Sequence, residues 1–181
     1  MTREELARRV AERALLRGEF VLRSGRRSTV YLDKYRFETD PELLAPLAEQ
    51  LAALGREVAP GVDLLAGPEL GAVPLVTAVA LQTGTPFVIV RSQAKEYGTA
   101  NRLEGVCGAG DRVLLIEDVV TSGGAALSAI EALRAAELEV SAALCVLDRG
   151  EGGIEQLAAA GVQLHPLFDR EALGMPAPAA G

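Results

Sequence analysis

One stretch of the chain reads Val113-Leu-Leu-Ile-Glu-Asp-Val-Val-Thr-Ser-Gly-Gly-Ala-Ala-Leu127. Its apolar beginning predicts a core strand near 112–117, and the pattern after the glycines predicts a helix near 125–136. Between them, Glu117 and Asp118 stand side by side at the expected mouth of the strand. Two like charges repel, and burying either one is costly without compensation. We therefore expect these acids either to be solvated or to serve a ligand.

The turn after the acids is Thr121-Ser-Gly-Gly124, directly before the predicted helix. Glycines let a ligand approach the backbone closely, hydroxyls can donate hydrogen bonds, and a helix N-terminus presents free N–H groups. These features suit a phosphate, and the neighbouring carboxylates suit the hydroxyls of a sugar phosphate. A plain capped strand-to-helix turn would explain the same residues, so the turn alone leaves both interpretations open.

Short apolar runs alternate with helical patterns in the rest of the C-terminal two thirds. Further strands are expected near 63–66, 86–90, 140–147 and 162–167, and further helices near 73–82 and 154–160. Inner strands that are almost continuously apolar are typical of a parallel sheet covered on both faces by helices. The sequence therefore predicts an α/β fold, with a ligand site where the loops after Ala66, Val90, Glu117 and Leu147 converge.

The N-terminal part has a different pattern. It predicts a helix, an arginine-rich hairpin and a second helix, over 2–18, over 20–25 with 28–32, and over 40–55. Thr2 has capping-box spacing to the acid that follows, and Gly18 interrupts the helical pattern. Asp40-Pro41 supplies an N-cap followed by proline at the first helical position, and Gly55 is expected to end that helix.

Length and composition narrow the class of protein. A chain of 181 residues fits one domain, expected over 1–174, with a disordered Pro/Ala tail over 175–181. The formal net charge of -7 argues against a nucleic-acid-binding protein. The charged N-terminus lacks the apolar region of a signal peptide, and no apolar run reaches the roughly 18 residues of a spanning helix. We expect a cytoplasmic protein that binds neither nucleic acid nor membrane.

The segment Ile116-Glu-Asp-Val-Val-Thr-Ser-Gly-Gly124 resembles the phosphoribosyl pyrophosphate (PRPP) signature of the type I phosphoribosyltransferases. Other segments are similar to one branch of that family, the orotate phosphoribosyltransferases. They are Phe20-Val-Leu-Arg-Ser-Gly-Arg26, Ser28-Thr-Val-Tyr31, Arg91-Ser-Gln-Ala-Lys-Glu-Tyr-Gly98, Leu103-Glu-Gly105 and Leu147-Asp-Arg149. The resemblance covers the chain from about residue 15 to residue 168.

The resemblance implies a fold and a reaction. The fold is a mainly parallel central sheet flanked by helices, with its core over about 41–168 and a small N-terminal hood over about 1–40. The reaction transfers the 5-phosphoribosyl group of PRPP to orotate and gives orotidine 5'-monophosphate and pyrophosphate, in pyrimidine (UMP) biosynthesis. Magnesium is the implied cofactor, held mainly by PRPP, with no direct protein ligand but near Asp118. The family also implies a homodimer whose lid loop, 91–105, acts on the partner subunit's site.

Carried over position by position, the resemblance assigns residues to each ligand. The implied catalytic residues are Lys95, Glu117 and Asp118. The implied PRPP-binding residues are Arg91, Lys95, Tyr97, Glu117, Asp118, Val119, Val120, Thr121, Ser122, Gly123, Gly124 and Ala125. Glu69, Leu70 and Gly71 are the implied pyrophosphate loop, and Arg23, Thr121 and Arg149 are the implied orotate contacts.

The chain departs from the family pattern at two positions. Ser92 stands where the family commonly has Lys, and Tyr97 stands where it commonly has His. A tyrosine hydroxyl can donate to pyrophosphate but carries no positive charge at neutral pH, so we expect binding to survive better than rate. Two other functions stay open: a purine phosphoribosyltransferase, and a non-catalytic regulator that senses PRPP. The basic hairpin and Arg149 favour an anionic base over a purine, whereas Lys95 and the intact acid pair argue against the regulator.

Overall fold

A computed structural model describes residues 1–21, 25, 27–93 and 102–176 of this protein. Along this part of the chain the elements are α1 (Arg3–Ala14), β1 (Leu15–Val21), β2 (Arg27–Leu32), α2 (Tyr35–Glu38), α3 (Pro41–Val58), β3 (Leu64–Pro68), α4 (Ala72–Thr83), β4 (Phe87–Val90), β5 (Leu103–Glu104), β6 (Arg112–Val120), α5 (Gly124–Ala135), β7 (Glu139–Asp148), α6 (Gly153–Ala159) and β8 (Gln163–Phe168).

The described strands form two sheets. β1 and β2 pair antiparallel as a small N-terminal sheet, and the central sheet has the order β5-β4-β3-β6-β7-β8. Neighbouring strands of the central sheet are parallel, apart from β4 with β5, which are antiparallel. The α/β fold, with a mainly parallel sheet flanked by helices and a small hood, is therefore confirmed.

Side chains of β6 alternate between two core layers. Leu114 and Ile116 pack into a cluster with buried residues of α1, α3 and α4, whereas Val113 and Leu115 pack into a cluster with buried residues of α5. Helices thus cover both faces of the sheet, which explains the continuous apolar character of this strand. Because successive side chains of a strand point to opposite faces, Asp118 lies on the side of α3 and α4.

β6 continues beyond its predicted end at Glu117. Its pairing with β7 runs through Glu117 opposite Cys145 to Val120 opposite Asp148, so ladder hydrogen bonds keep the backbone extended. The two acids therefore lie inside the strand and not at its mouth. Their exposed fractions are 5% for Glu117 and 3% for Asp118, which rules out the solvated interpretation.

Both glycines that were expected to end helices have other roles. α1 ends at Ala14 because Leu15–Val21 pairs with β2, and Gly18 lies in that strand, where the register shifts. α3 continues through Gly55 to Val58. A Cβ on Gly55 would lie 3.0 Å from the Leu114 side chain, so this glycine lets the helix pack closely on β6.

The predicted helix starts are confirmed. Thr2 Oγ1 accepts a hydrogen bond from the Glu5 N–H at 3.2 Å, and Asp40 Oδ1 accepts one from the Glu42 N–H at 3.1 Å. The short elements α2 and β5 had no predicted counterpart. Within the described ranges, no helix combines the length and apolar character that crossing a bilayer requires.

Candidate active site

The carboxyl ends of β3, β4, β6 and β7 lie at one edge of the central sheet, since these strands are neighbours and parallel. The segments that follow them there begin at Glu69, Arg91, Thr121 and Arg149. Hydrogen bonds, ion pairs and close backbone approaches link these segments to one another and to the acid pair. Arg23, Lys95 and Tyr97 lie outside the described residues, so the structure does not test their positions.

Asp118 is buried but paired with a cation. Its Oδ2 lies 2.5 Å from Lys34 Nζ, and its Oδ1 accepts a hydrogen bond from the backbone N–H of Val119. Lys34 immediately precedes α2, and its side chain is 34% exposed. Burial alone would lower the pKa of Lys34, but the charge of Asp118 and their hydrogen bond outweigh it and raise this pKa. Asp118 is thus paired with a cation within the protein.

Two further acids surround this ion pair. Glu38 in α2 is fully buried, and neither of its carboxyl oxygens has a hydrogen-bond partner among the described residues. Burial, reinforced by the negative charge of Asp118, raises the pKa of Glu38 to about 8. The same two causes raise the pKa of Glu117 to about 8. Near neutral pH both groups therefore hold a proton, which explains how adjacent acids are tolerated in a buried strand.

The raised pKa of Glu38 predicts that stability falls as the pH rises from 4.5, the ordinary value, to about 8. In this window the folded protein binds a proton that the unfolded chain releases, so the free energy of unfolding decreases with pH. The slope for one proton is at most about 1.4 kcal/mol per pH unit. Glu38→Gln stays neutral at every pH and should flatten the slope, as measured by urea unfolding of parent and variant across this window.

The matched control for this experiment is Glu49→Gln, on the exposed side of α3. Its slope is expected to equal that of the parent, because Glu49 is exposed and lies outside the buried cluster of acids. Equal slopes for the parent and Glu38→Gln would contradict the prediction and show that Glu38 ionises in the folded protein as it does in the unfolded chain.

The turn between β6 and α5 presents backbone N–H groups to the edge of the sheet. α5 is 12 residues long, and within the described chain no side chain caps its N-terminus. Gly123 precedes it with φ 85°, a conformation that favours glycine, and a Cβ there would lie 2.8 Å from Leu157 of α6. Ser122, Gly124 and Ala125 are exposed. This geometry suits an anion such as a phosphate.

The loop after β3 is tied to the residues after β4. Glu69 Oε1 accepts hydrogen bonds from the Ser92 N–H at 2.8 Å and from Ser92 Oγ at 2.7 Å, which lower the pKa of Glu69. Arg91 lies between two carboxylates, with Nε 3.7 Å from Glu69 Oε2 and Nη1 3.5 Å from Glu104 Oε1. Ser92 is thus hydrogen-bonded to the loop after β3, and Arg91 contacts the same loop through Glu69.

Gly71 brings the loop after β3 onto the acid pair. A Cβ built on Gly71 would lie 1.7 Å from Asp118 Oδ2 and 2.4 Å from Lys34 Nζ. No side chain fits in that space, so the ion pair occupies the position that a larger residue would fill. The expected pyrophosphate loop and the acid pair are therefore immediate neighbours.

Arg149 follows β7 and lies beside the turn between β6 and α5. Its backbone N–H donates to the Val120 carbonyl at 2.9 Å, and its Nη2 lies 3.2 Å from Glu151 Oε1. Arg170 Nη1 donates to the Arg149 carbonyl at 3.2 Å and so supports this segment from the C-terminal side. The guanidinium, with its side chain 25% exposed, lies at the edge of the sheet.

Lys34 and Glu38 carry no sequence signal that predicts a place in the site. The run from Asp33 to Arg36 contains charges of both signs, which is typical of a solvated surface. Lys34 meets its partner across 84 residues of chain, a contact that only the folded topology shows. Gly153 is similar, because a Cβ there would lie 2.7 Å from the Thr121 carbonyl oxygen, and glycine alone lets α6 approach the turn.

Comparisons with known proteins agree on one family. The phosphoribosyl transferase domain family matches residues 37–164. An orotate phosphoribosyltransferase from Nocardioides sp. is 48% identical over 158 residues, which cover 87% of this chain and 87% of that protein. A crystal structure of Mycobacterium tuberculosis orotate phosphoribosyltransferase has a TM-score of 0.86 at 31% identity, covering 96% of this chain and 99% of that one.

The same M. tuberculosis enzyme has also been solved in complex with PRPP. That structure has a TM-score of 0.82 at 29% identity and covers 96% of this chain and 99% of that one. The fold expected from the signature segment and the resemblance to these transferases are both confirmed. These relatives share the fold of this chain.

Proposed function

The chain belongs to the phosphoribosyltransferase family, and on that premise we propose that it transfers the 5-phosphoribosyl group of PRPP to orotate. The products are orotidine 5'-monophosphate and pyrophosphate, and the reaction is a step of pyrimidine biosynthesis. The protein is accordingly a pentosyltransferase. The observation that carries this proposal is the buried Asp118, paired with Lys34, in the strand that leads to the N-terminus of α5, which no described side chain caps.

Asp118 and the turn divide the recognition of ribose phosphate between them. The backbone N–H groups of Thr121 to Gly124 would hold the 5'-phosphate, while the Asp118 carboxylate would accept hydrogen bonds from ribose hydroxyls. As the bond to pyrophosphate breaks, positive charge grows on the ribose ring. A fixed carboxylate in a water-poor position stabilises that charge more than it would in water. Glu117, neutral and behind it in the strand, would support Asp118 without competing for the sugar.

The other predicted site residues would surround the leaving group and the base. Arg91, Lys95 and Tyr97 of the lid would contact pyrophosphate. The backbone of the loop after β3, from Glu69 to Gly71, would contact it as well. Arg149, Thr121 and Arg23 would contact orotate, whose carboxylate suits a guanidinium fork. Arg91 is held by Glu69 and Glu104 in the structure, so pyrophosphate binding would exchange those contacts for its own oxygens.

Magnesium fits this site as a partner of PRPP. Within the described ranges, no group of three or more His, Cys, Asp or Glu residues forms a metal site, whereas Asp118 offers hard carboxylate oxygens at the sheet edge. Magnesium prefers oxygen ligands and commonly takes them from phosphates and one or two carboxylates. When bound, it would neutralise charge on the leaving pyrophosphate. Asp118 would contact its hydration shell, and Lys34 would hold that carboxylate in place.

The decisive assay mixes the purified protein with magnesium, PRPP and orotate and follows the loss of orotate absorbance. We expect turnover that requires magnesium, and none when adenine or hypoxanthine replaces orotate. Turnover with a purine base and not with orotate would assign the protein to the purine branch. PRPP binding by calorimetry without turnover of any base would instead identify a regulator.

We also propose a homodimer in which the lid, 91–105, completes the partner subunit's site. Lys95→Ala and Asp118→Asn proteins should each be nearly inactive, but their mixed dimers contain one site with both intact residues. Random subunit exchange at equal concentrations should restore about a quarter of parental activity, because half of the dimers are mixed and each has one competent site. Activity is measured after exchange has been verified by mass spectrometry with isotope-labelled subunits.

The control for this mixing experiment is Lys95→Ala combined with a Lys95→Ala, Asp118→Asn double variant, whose mixed dimers contain no competent site. Its activity should stay at the level of the separate proteins. The same low activity in the main mixture, with exchange verified, would show that the lid acts on its own subunit.

A further inference from the structure

Lys34 connects three parts of the molecule that the proposed reaction uses. It belongs to the hood-to-core segment, Asp33-Lys34, which joins β2 to α2. Its Nζ lies 2.5 Å from Asp118 Oδ2 in β6. The same atom would lie 2.4 Å from a Cβ on Gly71, so it lies against the loop after β3. One cation therefore reaches both the acid strand and the expected pyrophosphate loop.

The surroundings of Asp118 make this cation necessary. Glu117 is its chain neighbour, Glu38 is fully buried nearby, and both add acidic groups to a position that is 3% exposed. A buried carboxylate among other acids takes up a proton unless a positive charge compensates it. Lys34 is the residue that forms an ion pair with Asp118 in the described chain. Without it, the buried carboxylate would have no ion-pair partner among the described residues.

The contacts also fix the direction of the carboxylate. The Val119 N–H binds Oδ1 and Lys34 binds Oδ2, so rotation of the group would break one of the two contacts. A carboxylate has about four lone-pair positions, which leaves acceptors for sugar hydroxyls after both contacts are made. The Lys34 side chain is 34% exposed, so its ammonium reaches the edge where a ligand would lie.

We propose that Lys34 is a positioning residue for Asp118: its ammonium orients the carboxylate and supplies a compensating positive charge before PRPP binds. This inference rests on the proposed function, and it makes the hood-to-core segment part of the reaction centre. Lys34 acts on the sugar through Asp118, so its contribution should disappear when the Asp118 charge is removed.

A double-mutant cycle tests this dependence. Lys34→Met, Asp118→Asn and the double variant are compared with the parent by calorimetric titration with magnesium and PRPP, and by turnover with orotate. Lys34→Met alone should lower PRPP affinity and kcat/KM by about 10- to 100-fold, the usual effect of losing a charged hydrogen bond. On the Asp118→Asn background, the same change should alter either quantity by less than about threefold.

Two further variants make the result specific. Arg36→Met removes a cation from α2, which begins directly after Lys34. Arg36 pairs with Asp33 at 3.4 Å, and half of its side chain is exposed. This variant should match the parent in PRPP affinity and kcat/KM. Lys34→Gln keeps a polar stem without the charge and replaces Lys34→Met if circular dichroism shows that the methionine variant is unfolded. Equal losses from Lys34→Met in both backgrounds would overturn the proposal, because a merely structural lysine acts independently of the Asp118 charge.

The two readouts separate this inference from the proposed function. If the parent turns over orotate but Lys34→Met matches the parent, only the inference fails. If the parent binds PRPP, shows the coupling between Lys34 and Asp118, and turns over no orotate, the inference stands and the assignment of the base fails. Failure of the parent to bind PRPP would overturn both.

Discussion

Asp118→Asn is expected to lower kcat by about 100- to 1,000-fold, the usual cost of removing one preorganised electrostatic contact from a transition state. Asparagine keeps the size of the side chain and can still accept from the Val119 N–H, so the geometry of β6 is preserved. What disappears is the negative charge that would face the ribose ring. Steady-state kinetics with saturating PRPP and orotate measure this loss directly.

The same substitution should change the free energy of unfolding by less than about 1 kcal/mol. The ion pair with Lys34 is lost, but that side chain can turn to solvent, and a neutral amide is less costly to bury than a carboxylate. Urea unfolding at neutral pH gives the comparison. An unfolded variant would mean that the acid pair has an architectural role, and an active one would mean that the charge lies away from the reacting sugar.

Asp63→Asn is the matched control for this prediction. Asp63 precedes β3 at the amino edge of the sheet and pairs with Arg112 Nε at 2.9 Å, with 46% of its side chain exposed. It therefore also removes an aspartate charge from an ion pair, at the end of the sheet opposite the site. Its kcat should equal that of the parent, because exposed ion pairs contribute little to stability and this one lies at the opposite end of the sheet from the turn between β6 and α5.

Gly71→Ala is expected to lower kcat/KM by at least about 100-fold, comparable to removing a preorganised contact outright. The new methyl group would lie 1.7 Å from Asp118 Oδ2, well inside any permitted contact, so the carboxylate and Lys34 must move. The backbone at Gly71, with φ -62° and ψ -43°, is one that alanine adopts readily, so the effect comes from space and not from strain. Overpacking of this kind costs about 1 to 3 kcal/mol of stability.

Calorimetric titration with PRPP, together with kinetics, distinguishes a displaced carboxylate from a collapsed fold. We expect folded protein that binds PRPP weakly. Gly108→Ala is the control, because a Cβ there would make only an ordinary contact at 3.7 Å with Asp111. If Gly71→Ala keeps parental affinity and turnover, Asp118 does not need its observed position, and the proposed arrangement of the site is wrong.

The sequence predicts the fold well where local pattern and tertiary pairing agree. Apolar runs and caps place β3, β4, β7, β8 and the starts of α1 and α3, because burial on two faces and N-capping leave direct traces in residue type. The boundaries fail where distant pairing decides them. Gly18 lies in a strand because β2 pairs with it, and β6 passes Glu117 because β7 continues alongside.

The site divides in the same way. The acid pair lies in the C-terminal half of β6, and the glycine turn and Arg149 follow strands whose ends the parallel topology brings to one edge, so their convergence could be expected from the chain alone. Lys34 and Glu38 could not, since their importance depends on a contact between the hood-to-core segment and the centre of the sheet. The roles predicted for Arg23, Lys95 and Tyr97, which lie outside the described residues, remain predictions.

The register of β6 against β7 also bears on the chemistry of the core thiol. Cys145 lies directly opposite Glu117, and burial raises the pKa of its thiol well above the ordinary value. Cys145 packs in the core layer that contains buried residues of α5, so an electrophile would reach its sulfur when that helical cover opens, and the same event would admit water to Glu117. The resistance of Cys145 to alkylation and the burial of Glu117 are therefore set by the same opening free energy.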